Sequence, residues 1–375
     1  MTFTNLLYVG DVPVEASYHG SALLYRLLSD YPPERLMVIE TAAPSEPKRR
    51  LPNVNYVAHP VAKPRWLNTR FHPYAVAWFS QAGTRRGIRI AQSLNGRAYE
   101  GVLTVAHGFG WLAAAGVARA KNVPLHLMVH DDWPRVADIA PAFRSWLDEQ
   151  FAGVYRQAKS RFCVSPAMAR AYSERYGERA EVIYPSRARD CREFTEPPAR
   201  NDRPFTMAFA GTINSQGYVE ALHALQAALK TVSGRLIVFG PQRIEDADFR
   251  GLLDADKLLM CLREEADALF VPMSFDAADR ANMELAFPSK LADYTATGLP
   301  LLIYGPSYCS AVAWARENEG VAEIVESPAD LNAAIDRLAN DRAHRLALGR
   351  RALDAGRKYF SHAQVQQTFI RALSA

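Results

Sequence analysis

The plainest chemical signal in this chain is a lysine set at the very start of a short helix. In Phe287-Pro288-Ser289-Lys290-Leu291-Ala292-Asp293-Tyr294-Thr295-Ala296-Thr297-Gly298-Leu299-Pro300, Pro288 ends an extended piece, Ser289 is the expected N-cap, and Gly298 is the expected left-handed stop before a buried strand, Leu301–Tyr304. The free N–H groups of such a helix and its positive dipole end meet whatever lies beside Ser289, and a cation there opposes the dipole unless an anion is bound. The pattern therefore predicts a phosphate-binding turn. The alternative is a capped surface helix with a solvated lysine.

Elements that could hold such a turn recur along the whole chain. Its 375 residues suit two α/β domains, each with its own core, and about half of them are hydrophobic with no low-complexity stretch. Expected strands in the first half are 5–9, 35–40, 101–105, 124–130, 160–164 and 180–184, with helices at 19–29, 111–120 and 166–176. Arg187 to Pro204, rich in Arg, Pro, Glu and Asp, reads as a domain boundary. The grammar then restarts with a strand at 205–209, a loop at 211–217, a helix at 218–231, and a strand at 234–239 ending in Gly240-Pro241. Segments 258–261 and 264–271, the helix after Pro288, strands 299–304 and 321–325, and a closing helix 362–373 capped by Ser361 follow. Strand–helix alternation of this kind predicts parallel sheets covered on both faces, with ligands taken at the carboxyl ends of the strands. Gly10, His107, Gly108 and His130 fall at such ends, although each histidine could equally be a hydrogen-bonded loop residue.

Composition excludes several classes. No apolar run approaches the ~20 residues that span a bilayer. The N-terminus reads as a buried strand rather than a leader, so a cytoplasmic location is expected. Cys163, Cys191, Cys261 and Cys309 are scattered and read as free thiols, and no spacing suggests a metal site. Residues 1–190 hold 24 basic and 16 acidic side chains, about +8, while the remainder carries about −4. Between Thr41 and Glu100 the basic residues Lys48, Arg49, Arg50, Lys63, Arg65, Arg70, Arg85, Arg86, Arg89 and Arg97 face only Glu46 and Glu100. Trp66, Phe71, Tyr74, Trp78 and Phe79 lie among them. That mixture suits peripheral contact with an anionic membrane or an acidic acceptor, or else makes ordinary solvated faces; no motif supports nucleic acid.

The order of these signals resembles glycosyltransferases of the GT-B fold, and within them the retaining enzymes of glycosyltransferase family 4. The resemblance rests on Val164-Ser165-Pro166-Ala167-Met168-Ala169 with Tyr176-Gly177 and Val182-Ile183-Tyr184-Pro185-Ser186, on Ala208-Phe209-Ala210-Gly211, on Ala266 to Ser274, and on the Lys290 motif with Gly298-Leu299-Pro300. It implies an N-terminal acceptor domain over 1–190, a nucleotide-sugar domain over 200–355, and a C-terminal helix, 356–375, returning to the first domain. The two Rossmann-like domains would face each other across a cleft. It further implies sugar transfer from a nucleoside-diphosphate donor of UDP or GDP type to a hydroxyl on a glycan, lipid-linked sugar or small metabolite, as in polysaccharide biosynthesis, with no metal and no other cofactor. Carried over by position, Gly211, Thr212, Gly240, Ser289, Lys290 and the N–H of Leu291 would take the donor diphosphate, and Asp293 the ribose. Lys290, His130 and Glu284 would be the catalytic residues, with Gly10, His107 and Gly108 on the acceptor side.

Two departures bear on this expectation. Eight residues separate Glu284 from Asp293 where seven are usual. Thr212 and Gln216 also stand where relatives carry an arginine and a lysine, leaving Arg243 or Arg280 to supply the missing charge. The rival expectations are a non-catalytic glycan- or nucleotide-binding protein and a nucleotide-sugar 2-epimerase using Glu284, Asp276 and Asp279.

Overall fold

A computed structural model describes residues 3–16, 19–42, 44–60, 69–94, 96–198, 204–213 and 215–374. The chain divides into two units, Met1–Tyr184 with Val365–Ala375, and Pro185–Gln364. In the first run β1 (Leu6–Gly10), α1 (His19–Leu28), β2 (Leu36–Glu40), β3 (Asn55–Ala58), α2 (His72–Ser93), β4 (Gly101–Val105) and α3 (Gly110–Lys121). These are followed by β5 (Leu125–Val129), α4 (Arg144–Gln157), β6 (Ser160–Cys163), α5 (Pro166–Tyr176) and β7 (Glu181–Val182). The second contains β8 (Thr206–Ala210), α6 (Gln216–Thr231), β9 (Arg235–Phe239), β10 (Asp248–Gly251), α7 (Ala255–Glu265), β11 (Ala268–Pro272), α8 (Arg280–Leu285) and α9 (Lys290–Tyr294). It continues through β12 (Leu301–Tyr304), α10 (Ser310–Glu317), β13 (Glu323–Val325), α11 (Leu331–Asn340) and α12 (Arg342–Ala355), and α13 (His362–Ser374) closes the chain.

Both sheets are parallel, ordered β3-β2-β1-β4-β5-β6-β7 and β10-β9-β8-β11-β12-β13. Strands β1, β4, β5, β8 and β11 are buried along their full length, as strands covered on both faces must be, which is why they read as unbroken apolar runs. Strand order reverses between β1 and β4 and again between β8 and β11. Each reversal opens a crevice at the carboxyl ends of the paired strands. Gly10 and His107 flank the first crevice, and Gly211 and Ser274 the second.

The last turns of α13 belong to the first unit. Phe369, Ile370 and Leu373 join its core with Leu6, Val38 and Phe162, each worth about 1.5–3 kcal/mol on burial. Gln366 donates its amide to the carbonyls of Arg26 (3.2 Å) and Leu27, satisfying the last turn of α1. At the start of the helix Ser361 accepts from Gln364 N at 3.3 Å, the expected cap.

Helix α2, which sequence periodicity does not announce, packs on α3 at close range. A Cβ on Gly87 would lie 2.3 Å from the Ala113 carbonyl, so that only glycine permits the contact.

Some expectations are corrected. Segment 258–261 lies inside helix α7, and 264–271 divides between the end of α7 and β11. Over its described part the segment after Arg187 is packed down: Arg187 is 1% exposed, the Arg263 guanidinium stacks 3.8 Å over the Phe194 ring, and Glu196 meets Arg350 at 3.1 Å. Charged residues gave that stretch a linker's composition while their long stems and hydrogen bonds packed it down. Among the described residues, no helix is long and apolar enough to cross a membrane.

Candidate functional site

In the second unit the chain leaves β8 at Ala210 and turns through Gly211 at φ +145°, a conformation that L side chains rarely adopt. Gly240, leaving β9 at φ +158°, presses so close that a Cβ on it would sit 2.3 Å from the Gly211 carbonyl. Gln242 then clamps the loop from below, accepting from Ile213 N at 3.3 Å.

Lys290 reaches over this loop. Its Nζ lies 4.1 Å from the centre of the Phe209 ring, 5.8 Å from that of Tyr218, and 3.3 Å from where a Cβ on Gly211 would stand. Atoms crowd the ammonium although the residue keeps a partly exposed surface, and loss of water pushes its pKa down to about 7. Two aromatic faces offset part of that penalty. Among the described residues no carboxylate pairs with Lys290. The helix carrying it is fixed by Tyr294, whose buried hydroxyl accepts from Ala210 N (2.6 Å) and donates to Ala210 O (3.2 Å). Lysine and glycine loop are thus tied to the same strand end. Opposite, Ser215 donates to Asp279 at 2.6 Å, and burial with Asp279 nearby pushes the Tyr218 hydroxyl up to about 12.

The expected helix cap is not made. Ser289 has helical dihedrals (φ −57°, ψ −26°), its side chain makes no cap hydrogen bond, and the Leu291 N–H already donates to Pro288 O at 3.1 Å. The helix begins through a tight 3₁₀ turn at Pro288, which engages the Leu291 N–H and leaves the exposed Ser289 side chain outside the cap. Gly298 is left-handed at φ +71° but lies three residues beyond the C-cap Thr295, at the end of the turns that follow the helix rather than at its stop. Asp293 is partly exposed on α9. Glu284, on α8, is engaged by Arg280 at 2.7 Å. The two arginines expected to make up the missing charge are both occupied, Arg280 also over the Tyr308 ring (4.6 Å) and Arg243 over Phe249 (5.3 Å). Asp276 accepts from Ala278 N, so the carboxylates required of an epimerase are dispersed among separate partners. Phe209, Tyr218 and Tyr294 escaped sequence reasoning, because an aromatic at a buried strand or helix position looks like core.

In the first unit the residue after Gly10 is the organiser. Asp11 accepts from Phe109 N (2.6 Å), Gly110 N (2.9 Å) and the Thr41 hydroxyl, capping α3 from a distant strand end. Arg86, from α2, donates to the carbonyls of Thr41 and His59. Gly108, at φ +55°, lies directly against the Asp11 carboxylate. Asp11→Ala leaves two helix N–H groups and a hydroxyl unpaired and is expected to cost about 2 kcal/mol. An unchanged urea midpoint would show that water replaces the carboxylate.

His130 follows β5. Burial lowers its pKa to about 4, with His107 adding to the effect and Asp131 opposing it, so the ring is neutral at pH 7. It has no hydrogen-bond partner among the described residues, which leaves a neutral imidazole able to bind a hydroxyl. His107 is exposed and lies against Trp133, ring centres 5.7 Å apart.

With this geometry the comparisons agree in fold. Residues 34–186 match the family model described as Glycosyltransferase Family 4. The whole chain superposes on Anabaena HepE in complex with UDP and glucose, with 13% identity, TM-score 0.67 and 100% of both chains covered. It also superposes on the Escherichia coli trehalose-6-phosphate structure bound with UDP-2-fluoro glucose (14%, 0.67, 98% of each chain). A third match is Burkholderia multivorans α,α-trehalose 6-phosphate synthase (14%, 0.64, 99% of this chain and 98% of that one). No curated protein matches the chain in sequence. At such identities the structural likeness is one of fold, and that fold is GT-B. The family match covers 34–186, fewer than half of the 375 residues.

Proposed function

We propose that this protein moves a sugar from a uridine-diphosphate donor to a hydroxyl of a glycan, lipid-linked sugar or small metabolite, with retained anomeric configuration and without a metal. Lys290 carries the reading: a desolvated ammonium with no carboxylate partner among the described residues, held over a glycine that leaves room for a diphosphate. As the bond between the anomeric carbon and the diphosphate oxygen breaks, negative charge gathers on that oxygen, and Lys290 is placed to stabilise it. The acceptor oxygen bonds to the same carbon from the face the diphosphate leaves, and the acceptor proton passes to the departing diphosphate. His130, neutral and without a hydrogen-bond partner among the described residues, binds a sugar hydroxyl. The UDP assignment draws support from HepE and the E. coli protein, whose structures hold UDP or a UDP-sugar.

Thermal denaturation with UDP, GDP, ADP and TDP tests this reading. A ligand at ~100 times its dissociation constant adds ~2.7 kcal/mol to the folded state, several degrees in a domain of this size. UDP is expected to give the largest shift. Silence from all four would favour the second reading, a non-catalytic protein, which one observation supports: Gln216 turns its amide to Glu220 (3.4 Å) instead of carrying a cation into the loop.

A further inference from the structure

Four of the six exposed large hydrophobics among the described residues fall in one stretch: Phe71 (47%), Tyr74 (56%), Trp78 (52%) and Ile88 (48%). Their spacing places Tyr74, Trp78 and Ile88 on one face of α2, with Phe71 at its N-cap in line with them. Positions 71, 74, 78, 81, 85 and 88 alternate steps of three and four, and Gln81 and Arg85, which complete the series, are exposed as well. Away from this stripe Gly83 and Gly87 seat the helix on α3, so the stripe is not the face that the fold buries.

The charge on this helix is one-sided. Its 22 residues include no aspartate or glutamate. Arg85 and Arg89 are exposed with no ion-pair partner among the described residues, and Arg70 lies 5.0 Å over the Phe71 ring. The acidic contact that the helix does make is Asp138 with His72, at 3.5 Å. Three other cations of the basic region are engaged: Arg50 pairs with Glu40, Arg49 with Glu46, and Arg86 is turned inward. Lys63, Arg65 and Trp66 lie outside the described residues.

We propose that this face of α2 docks on an anionic lipid bilayer. Tyr and Trp rings with an apolar body and a polar tip settle at the headgroup boundary, Phe71 and Ile88 reach the acyl region, and Arg70, Arg85 and Arg89 meet lipid phosphates. An acid-free helix with aromatics in its exposed stripe matches that surface in both charge and polarity.

Co-sedimentation with phosphatidylcholine vesicles containing about one-third phosphatidylglycerol tests the proposal. The wild-type chain is expected to be retained at low salt, released at high salt, and ignored by pure phosphatidylcholine. Arg85→Gln and Arg89→Gln each weaken retention about fivefold, and Trp78→Ser abolishes it. Vesicles also shift the tryptophan emission to the blue in the wild type and not in Trp78→Phe, a readout that loss of fold does not imitate. Absence of retention on the anionic vesicles, or equal retention of all variants, overturns the proposal. So does a dimer in solution that Trp78→Ser dissolves, which would assign the face to a second copy of the chain. None of these outcomes depends on the donor site, which the nucleotide shifts report separately.

Discussion

Lys290→Met is expected to raise the melting temperature of the ligand-free protein while cutting sugar transfer about 10²–10³-fold. The two effects share one cause. An ammonium that loses its water over Phe209 is a cost to the folded state, and methionine fills the same channel without that cost. The folded-state pKa of about 7 lies below the 10.5 of the unfolded lysine. Between those values the unfolded chain holds a proton that the folded chain lacks, so wild-type stability rises with pH across that window. The advantage of the methionine variant is therefore largest below pH 7 and fades as pH approaches 10.5. Donor binding runs the other way. A diphosphate needs the charged lysine, so affinity is highest below pH 7 and falls by up to about tenfold per pH unit above it. Thermal shifts with and without UDP over this range measure both trends. A pH-independent stability difference together with an undiminished UDP response in Lys290→Met would remove Lys290 from the donor site.

Much of this arrangement was legible because parallel strands buried on both faces must be continuous apolar runs. β1, β4, β5, β8, β11 and β12 stand out for that reason, and strand ends mark where ligands go. Short edge strands carry no such signal, so β3, with its two end residues exposed, and β10 passed unseen. Helix α2 was masked by its own surface: with aromatics on the exposed side and small residues on the buried one, its pattern is the reverse of an amphipathic core helix. At the site, the glycines and Lys290 could be read from type and spacing. The cap could not, because Ser289 is a good N-cap in general and only the local 3₁₀ turn at Pro288 denies it that part here. Asp11 is the clearest omission. Its partners Phe109 and Gly110 lie about a hundred residues away, and a capping carboxylate borrowed from another strand leaves no local motif.

Arg187→Ala is expected to destabilise the second unit by about 3–5 kcal/mol and to weaken the UDP response although Arg187 touches no expected donor residue. Its guanidinium is buried beneath the lysine-bearing segment: Nε donates to Ala292 O at 3.1 Å and Nη2 to Thr295 Oγ1 at 3.3 Å. Nη1 meets both oxygens of Glu193 at 3.2 Å. Gly356 leaves the room, since a Cβ there would fall 1.9 Å from Nη2. Removing the arginine leaves the buried Ala292 carbonyl with only the Thr295 hydroxyl, at 3.1 Å, to serve it and opens a cavity beneath the helix. Glu193 is half exposed, so Glu193→Gln should cost under about 1 kcal/mol, which separates the buried hydrogen bonds from the ion pair. Gly356→Ala should reproduce much of the arginine loss by displacing Nη2. Urea unfolding at constant m-value orders the three variants. If Arg187→Ala and Glu193→Gln shift the midpoint equally, the surface pair and not the carbonyl contact anchors the guanidinium. If Arg187→Ala loses stability but keeps the full UDP shift, α9 holds Lys290 in place through Tyr294 and Ala210 alone. The expected joint loss follows from how short α9 is: five residues cannot hold a register by themselves, so the position of a buried ammonium is set by the contacts at either end of the helix.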